Sequence, residues 1–127
     1  MDKMQALDSF WKSFNISAYD EATVPDEISF TNPDNKTRSP YITYEVSMSE
    51  FGGEVASAVS LWYYDSGWKA IEEKAKQIDE KLLNGGTQIP YDEGTLWIKA
   101  SQPYRSRVVE SNDMVRRILI NTIIEYH

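Results

Sequence analysis

The chain has 127 residues, of which 41% are hydrophobic and 26% are charged, and its formal net charge is −7. This size and composition predict one globular domain, residues 1–127, that buries a core of its own. The absence of cysteine excludes disulfides, thiol catalysis and cysteine-ligated zinc, and the negative charge disfavours tight binding of the whole surface to nucleic acid.

The beginning of the chain predicts a helix followed by a loop. Apolar residues recur there at spacings of three and four: Met4, Leu7, Trp11 and Phe14. This spacing predicts an amphipathic helix over residues 2–14. Its charges are unlike a secretory signal, so we expect the chain to stay in the cell that makes it. Turn-forming residues dominate residues 15–39, which we interpret as a long loop with one short strand around Ile28–Phe30.

The middle of the chain predicts two strands joined by a tight reversal. Residues 40–48 alternate between apolar and polar side chains, and residues 54–64 alternate again. Gly52 and Gly53 lie between them and can adopt the positive φ values that a reversal needs. We therefore expect an antiparallel pair.

A second helix follows, and its apolar residues again step by three and four: Trp68, Ile71, Ala75, Ile78 and Leu82. Asp65 or Ser66 is the expected N-cap residue, because their side-chain oxygens can accept a hydrogen bond from a free helix N–H group. The expected end is at Asn84, Gly85 and Gly86, where glycine can adopt the left-handed conformation that ends many helices.

The last third of the chain predicts two more strands. Residues 94–101 alternate, and Pro103 is expected to limit that strand because proline has no N–H to donate. Residues 105–113 are polar and predict a loop or the arm of a hairpin. Residues 115–126 are rich in β-branched side chains and favour a strand with Ile118, Ile120, Thr122, Ile124 and Tyr126 on one face, whereas Leu119 and Ile123 would support a helix.

The order of these elements, α-β-β-α-β-β, predicts an α+β fold. We expect a four-stranded, mainly antiparallel sheet packed by two helices on one face. This arrangement gives every amphipathic element a partner for its apolar side.

The sequence contains no group of residues to which we assign catalysis, a cofactor or a metal. The single histidine, His127, is the last residue, so histidine-dependent triads and histidine-rich metal sites are excluded. No spacing of carboxylates forces two of them together in a dry cleft. Gly85 and Gly86 follow a helix, whereas a phosphate-binding loop precedes one.

Aromatic and arginine residues are the candidates for a contact surface. Alternation places Trp62 and Tyr64 on one face of their strand and Leu61 on the other. The last strand is also apolar on both faces, and two helices cannot cover both faces of a sheet, which predicts self-association. The candidate interface residues are Tyr41, Trp62, Tyr64, Arg105, Arg107, Arg116, Arg117, Leu119 and Ile123. The alternatives are a core role for the aromatic residues and intrachain ion pairs for the arginines.

The layout of these segments resembles one known family. The amphipathic opening helix, PYITYEV leading into ASAVSLWYYDS, the helix WKAIEEKAKQIDEKL, and then GTLWIKAS and DMVRRILINTIIEY resemble the tail-terminator, or tail-completion, proteins of long-tailed phages and prophages. The resemblance is clearest over residues 40–126. The resemblance rests on the order of the elements, the length of the chain and the pattern of residue types within each segment, rather than on an invariant motif.

The resemblance implies a structural protein without catalysis. Such a protein caps the head-proximal end of the tail tube as a ring, commonly a hexamer, and joins the tail to the head. The implied partners are further copies of the chain, the tail-tube protein and a head–tail connector protein. DNA would pass through the lumen without specific binding, and no membrane is involved. The implied location is the host cytoplasm during assembly and then the head–tail junction of the virion.

Two other functions stay open on the sequence alone. A head-closure or connector adaptor would share the small size and the αβ build. A small module that binds a protein or a ligand on the face of Trp62 and Tyr64 belongs to a different class. A chain that stays monomeric at high concentration would favour this second alternative.

Overall fold

The computed structural model describes residues 1–46 and 53–127. Helix α1 spans Lys3–Lys12 and helix α2 spans Lys69–Leu82. The strands are β1 Ser17–Asp20, β2 Tyr41–Tyr44, β3 Gly53–Tyr64, β4 Thr87–Tyr91, β5 Gly94–Val109 and β6 Val115–Tyr126. They form a sheet in the order β1-β2-β3-β6-β5-β4, in which β1 and β2 are parallel and the other neighbours are antiparallel.

The prediction of an α+β fold with a four-stranded, mainly antiparallel sheet is wrong, because the described chain is mostly β. The described sheet has six strands and is mixed, and the order along the chain is α-β-β-β-α-β-β-β. The two strands that the sequence analysis missed, β1 and β4, lie at the two edges. β4 contains Pro90, which is tolerated at an edge because one side of that backbone needs no partner.

The interpretation of residues 15–39 as a loop is wrong in part. β1 lies there, and its four residues are too few to show a clear period of two. The short strand expected around Ile28–Phe30 is absent, because these residues form turns. The predicted strand end at Met48 and the predicted reversal at Gly52 fall outside the described residues. Gly53 has the expected positive φ, 93°.

β5 continues past Pro103, which was expected to limit it. The register between β5 and β6 shifts between Ala100 and Arg105, so that a bulge absorbs the intervening residues and the pairing then resumes. Residues 105–109 are therefore the end of β5 and form an arm of the hairpin with β6, which confirms the second of the two predicted alternatives, a loop or a hairpin arm. Residues 110–114 connect β5 to β6.

The ends of the helices have different chemistry. α1 begins with a capping box, in which Asp2 and Gln5 bond each other's backbone N–H groups. α2 begins later than predicted, with Trp68 at the N-cap position and no side-chain hydrogen bond there. Its predicted end is confirmed, because Asn84, Gly85 and Gly86 all have positive φ. Among the described residues, no helix combines the length and the apolar character needed to cross a membrane.

Alternation along the long strands divides the sheet into two faces. The residues that alternate along one side of β6 are buried: Ile118, Ile120, Thr122, Ile124 and Tyr126. These residues share one core with the apolar residues of both helices, so we name this side the helix face. Leu119 and Ile123 point to the opposite side, which we name the outer face, and are half-buried.

Candidate interaction surface

The outer face has two halves that differ in what covers them. The first, which we name the aromatic half, contains Tyr41, Trp62, Tyr64 and Val115 and is packed by Phe30 from the segment between β1 and β2. The second, which we name the open half, contains Ala56, Ala58, Leu119, Asn121 and Ile123, all half-buried or exposed.

In the aromatic half, Phe30 lies against the strands. Its ring centre is 4.9 Å from that of Tyr41 and 5.8 Å from that of Tyr64. The Phe30 backbone N–H donates a hydrogen bond of 3.2 Å to the Tyr41 hydroxyl. Tyr41 and Trp62 stack with ring centres 6.0 Å apart. The expectation that a second copy must cover the outer face therefore does not apply to this half, which the chain covers itself.

A buried asparagine holds the covering segment in place. Asn35 is 1% exposed, and its Nδ2 donates to the carbonyl oxygens of Ile28 at 2.7 Å and Ser29 at 3.2 Å. Its Oδ1 accepts from the backbone N–H of Thr37 at 3.1 Å. Because a buried amide without partners is costly, these bonds fix the turn that places Phe30.

Arg117 lies on the outer face, at the border of the two halves. Its guanidinium carbon is 4.9 Å from the centre of the Trp62 ring. Its Nε donates to the Ser60 hydroxyl at 2.9 Å, and its Nη1 pairs with Glu110 at 3.3 Å. Trp62 in turn donates from Nε1 to the Thr43 hydroxyl at 2.9 Å.

Arg105 and Arg107 lie on the helix face, where they join β5 to α2. Arg105 pairs with Glu72 at 2.9 Å and with Asp79 at 3.1 Å, and Arg107 pairs with Glu72 at 2.9 Å. Partial burial would by itself raise the pKa of Glu72, but the hydrogen bonds from the two arginines outweigh burial and lower it. Tyr104 donates to Asp79 at 2.7 Å; burial and then this bond raise the pKa of Tyr104.

Arg116 also lies on the helix face and stacks with Arg107 against Trp68. The guanidinium carbons are 4.6 Å (Arg107) and 5.3 Å (Arg116) from the ring centre. Arg116 donates to the Ser66 carbonyl at 2.7 Å and has no ion pair within the described part of the chain. Trp68, expected inside, is half-buried and packs between the core and these arginines.

The structure therefore does not bring the nine candidate residues into one patch. Tyr41, Trp62, Tyr64, Arg117, Leu119 and Ile123 share the outer face, whereas Arg105, Arg107 and Arg116 lie on the helix face. The sequence analysis missed Phe30 and Arg38, whose guanidinium lies 4.4 Å from the centre of the Tyr64 ring. Phe30 carried one signal, because it is the single aromatic residue between Tyr19 and Tyr41.

The main clefts of the described chain have volumes of about 250 to 580 Å³, at the lower end of the usual range for small-molecule sites. A cleft of about 250 Å³ beside Trp62 and Arg117 is smaller than the usual 300–1,000 Å³ of small-molecule sites. A larger cleft of about 580 Å³ lies beside β1, and its one charged lining residue, Lys12, pairs with Asp8 at 2.6 Å. Within residues 1–46 and 53–127, no group of three or more histidine and carboxylate side chains is placed to hold a metal ion.

These features define a mostly β protein, in which a six-stranded mixed sheet is packed by two helices on one face and carries aromatic and charged side chains on its other face and its edges. No family model and no curated protein matches the sequence. The fold is similar to that of a chain in a solved structure described as "Virion of native gene transfer agent (GTA) particle", with a TM-score of 0.61 and 15% identity. The alignment covers 97% of this chain and 90% of that chain. At this identity the likeness shows a shared fold.

Proposed function

We propose that this chain is a non-enzymatic structural protein of a phage-like virion. The observation that carries the proposal is the fold likeness to a chain of a gene transfer agent virion, which extends over nearly the whole of both chains. A likeness of this extent supports a common architecture, and the particle in which the similar chain resides supplies the functional class.

Within that class we propose the role of a tail terminator. In this role the chain caps the head-proximal end of the tail tube as a ring, and contacts the tail-tube protein and a head–tail connector protein. The sequence resemblance favours this role. The open half of the outer face supports it as well, because Leu119 and Ile123 are only half-buried and offer apolar area to a neighbouring protein. The acidic character of the chain suits a lumen through which DNA passes.

A head-closure or connector adaptor is the second candidate. The same fold likeness supports it equally, since the similar chain belongs to a whole virion and the likeness does not separate the two roles. A module that binds a ligand on Trp62 and Tyr64 is less favoured. Phe30 and Arg38 of the chain itself already occupy those rings.

Deletion of the gene from its own genome tests the proposal. We expect particle production to fall to background, with heads and tails both made but not joined in electron micrographs, and with tails of irregular length if the chain is the terminator. Tails of normal length that stay unjoined would indicate the adaptor role. Normal particles without the gene would overturn the structural role altogether.

A further inference from the structure

The two edges of the sheet carry opposite charge. Residues 13–35, which include β1 and the segment after it, contain five acidic residues and no lysine or arginine: Asp20, Glu21, Asp26, Glu27 and Asp34. β5, at the other side of the sheet, contains Lys99, Arg105 and Arg107 and no acidic residue. Lys99, Arg105 and Arg107 already pair with carboxylates of the chain, so the positive charge available to a partner comes from the half-exposed Arg107 and from Arg116.

The acidic side offers carboxylates that are free to bind. Glu21, Asp26 and Glu27 are exposed, and none of the three side chains makes an ion pair within the described part of the chain. The exposed side chains of the segment after β1 are the groups that this edge offers to a partner. We name Asp20–Glu27 the acidic edge.

The basic side has an unpaired strand. β4 pairs only with Gly94–Ile98 of β5, so no described strand flanks the outer side of Arg105–Val109. Thr95 of β5 and His127 exchange two backbone hydrogen bonds. In an antiparallel pair, every second residue bonds the same neighbouring strand, so the backbone N–H and C=O groups of Leu119 and Arg117 in β6 point toward β5. The backbone N–H groups of Arg105, Arg107 and Val109 consequently point outward. We name Arg105–Val109 together with Arg116 the basic edge.

The side chains of the basic edge also suit a partner. The side chain of Arg107 is 53% exposed, and the hydrogen bond that holds it to Glu72 uses Nε. Arg116 has no carboxylate partner within the described residues. Val109 is 93% exposed, the highest exposure among the exposed large hydrophobic residues described.

The two edges lie at the same height along the strands. One row of paired residues crosses the sheet from Asp20 through Tyr44, Val59 and Ile120 to Arg105. A neighbouring copy placed beside the sheet without a shift along the strands would bring one acidic edge to one basic edge. Different patches meet in such a contact, which makes it heterologous, the type that builds rings.

We propose that copies of this chain associate head to tail, with the acidic edge of one copy bound to the basic edge of the next. The carboxylates of Glu21, Asp26 and Glu27 bind Arg107, Arg116 and the outward N–H groups of β5, and Val109 becomes buried in the contact. Charge complementarity of this kind selects the partner and its orientation. The inference rests on the ring assembly in the proposed function and assigns its contacts.

Two charge-reversal variants test the inference. The acid variant carries Glu21→Lys and Glu27→Lys, and the base variant carries Arg107→Glu and Arg116→Glu. We expect each variant alone to associate at least about tenfold more weakly than the wild type in sedimentation or native mass spectrometry. Matched controls change the same total charge on exposed residues of α2: Glu73→Lys with Glu80→Lys, and Lys76→Glu with Lys81→Glu. The controls should associate as the wild type does.

An equimolar mixture of the two variants gives the decisive result. The unchanged basic edge of the acid variant fits the unchanged acidic edge of the base variant, and the two reversed edges fit each other. We therefore expect the mixture to recover assemblies in which the variants alternate, visible as equal numbers of two masses. A third variant, Val109→Asp, carries little risk to folding because that side chain is almost fully exposed. This substitution should weaken assembly on its own.

The outcomes separate this inference from the proposed function. If the wild type assembles and the reversed variants assemble equally well, the edge assignment is wrong while the ring remains. If the wild type stays monomeric at high concentration and in the presence of tail tubes, both the ring and the edge contact are wrong. Recovery in the mixture, with neither variant assembling alone, establishes the head-to-tail contact.

Discussion

The helix face and the outer face of the sheet are formed by the same strands and differ in how far they are buried. On the helix face, alternate residues of β3 and β6 are fully buried beneath two helices. On the outer face, one half is covered by Phe30 and its segment, and the other half has no cover within the described residues. The contrast indicates that the helix face provides the stability of the chain, whereas the outer face and the sheet edges are available for assembly.

The largest expected effect comes from the helix face. Ile120→Ala removes a residue that is 0% exposed and leaves a cavity among the strands and α2. We expect the free energy of unfolding to fall by about 3 kcal/mol, measured by urea denaturation. Ile123→Ala, the same change three residues later on the outer face, should cost about 1 kcal/mol. Equal losses of unfolding free energy in the two variants would contradict the claim that the helix face provides most of the stability.

An intermediate effect is expected for the aromatic half. Phe30→Ala removes the side chain that packs on Tyr41 and Tyr64 and should lower stability by about 2 kcal/mol, less than a central core residue because the segment can detach locally. Limited proteolysis should then cut within residues 21–40 before the rest of the chain. A variant that is cleaved no faster than the wild type would show that Phe30 does not hold the segment.

A smaller effect on stability, with a larger one on assembly, is expected for the open half. Leu119→Ser with Ile123→Ser leaves the helix face intact, so circular dichroism and the thermal midpoint should change little. If this half binds a neighbouring virion protein, the variant should fail to restore particle production in a deletion strain. Full restoration would indicate that the open half contacts water and nothing else.

The smallest effect concerns pH. The pKa of Glu72 in the folded chain is lowered from its ordinary value of 4.5, because the bonds from Arg105 and Arg107 outweigh burial. A lowered folded-state pKa gives stability that is present above the ordinary value and is lost as the pH falls through the folded value. We expect Glu72→Gln to be less stable at neutral pH and to lose less stability on acidification. If the free energies of unfolding of the wild type and the variant change with pH in parallel, Glu72 is not the cause of the pH dependence.

The sequence predicted the parts of the fold in which local pattern and tertiary burial agree. β3 and β6 are each buried on one face along most of their length, so their alternation was visible, and α2 shows its apolar stripe in the same way. β1 was missed because four residues carry too little pattern, and β4 because Pro90 weakens the strand signal. Both become strands through pairing with neighbours that the local sequence does not specify.

The candidate surface was predicted less completely, and for a related reason. The pattern showed correctly that the sheet is apolar on both sides. It did not show that Phe30, from a segment rich in turn formers, would cover half of the outer face, because such a contact joins residues distant in sequence. The arginines were identified as a group, yet the bulge at residues 101–104 sets which face Arg105 and Arg107 occupy, and a bulge of this kind leaves no regular pattern.

The most direct test of the central claim is a cryo-electron microscopy reconstruction of the particle encoded by the genome that carries this chain. We expect a ring of copies at the junction of head and tail, with the acidic edge of each copy against the basic edge of the next. Purified particles that lack the chain, or that contain it as isolated copies away from any junction, would show that the chain does not form this ring.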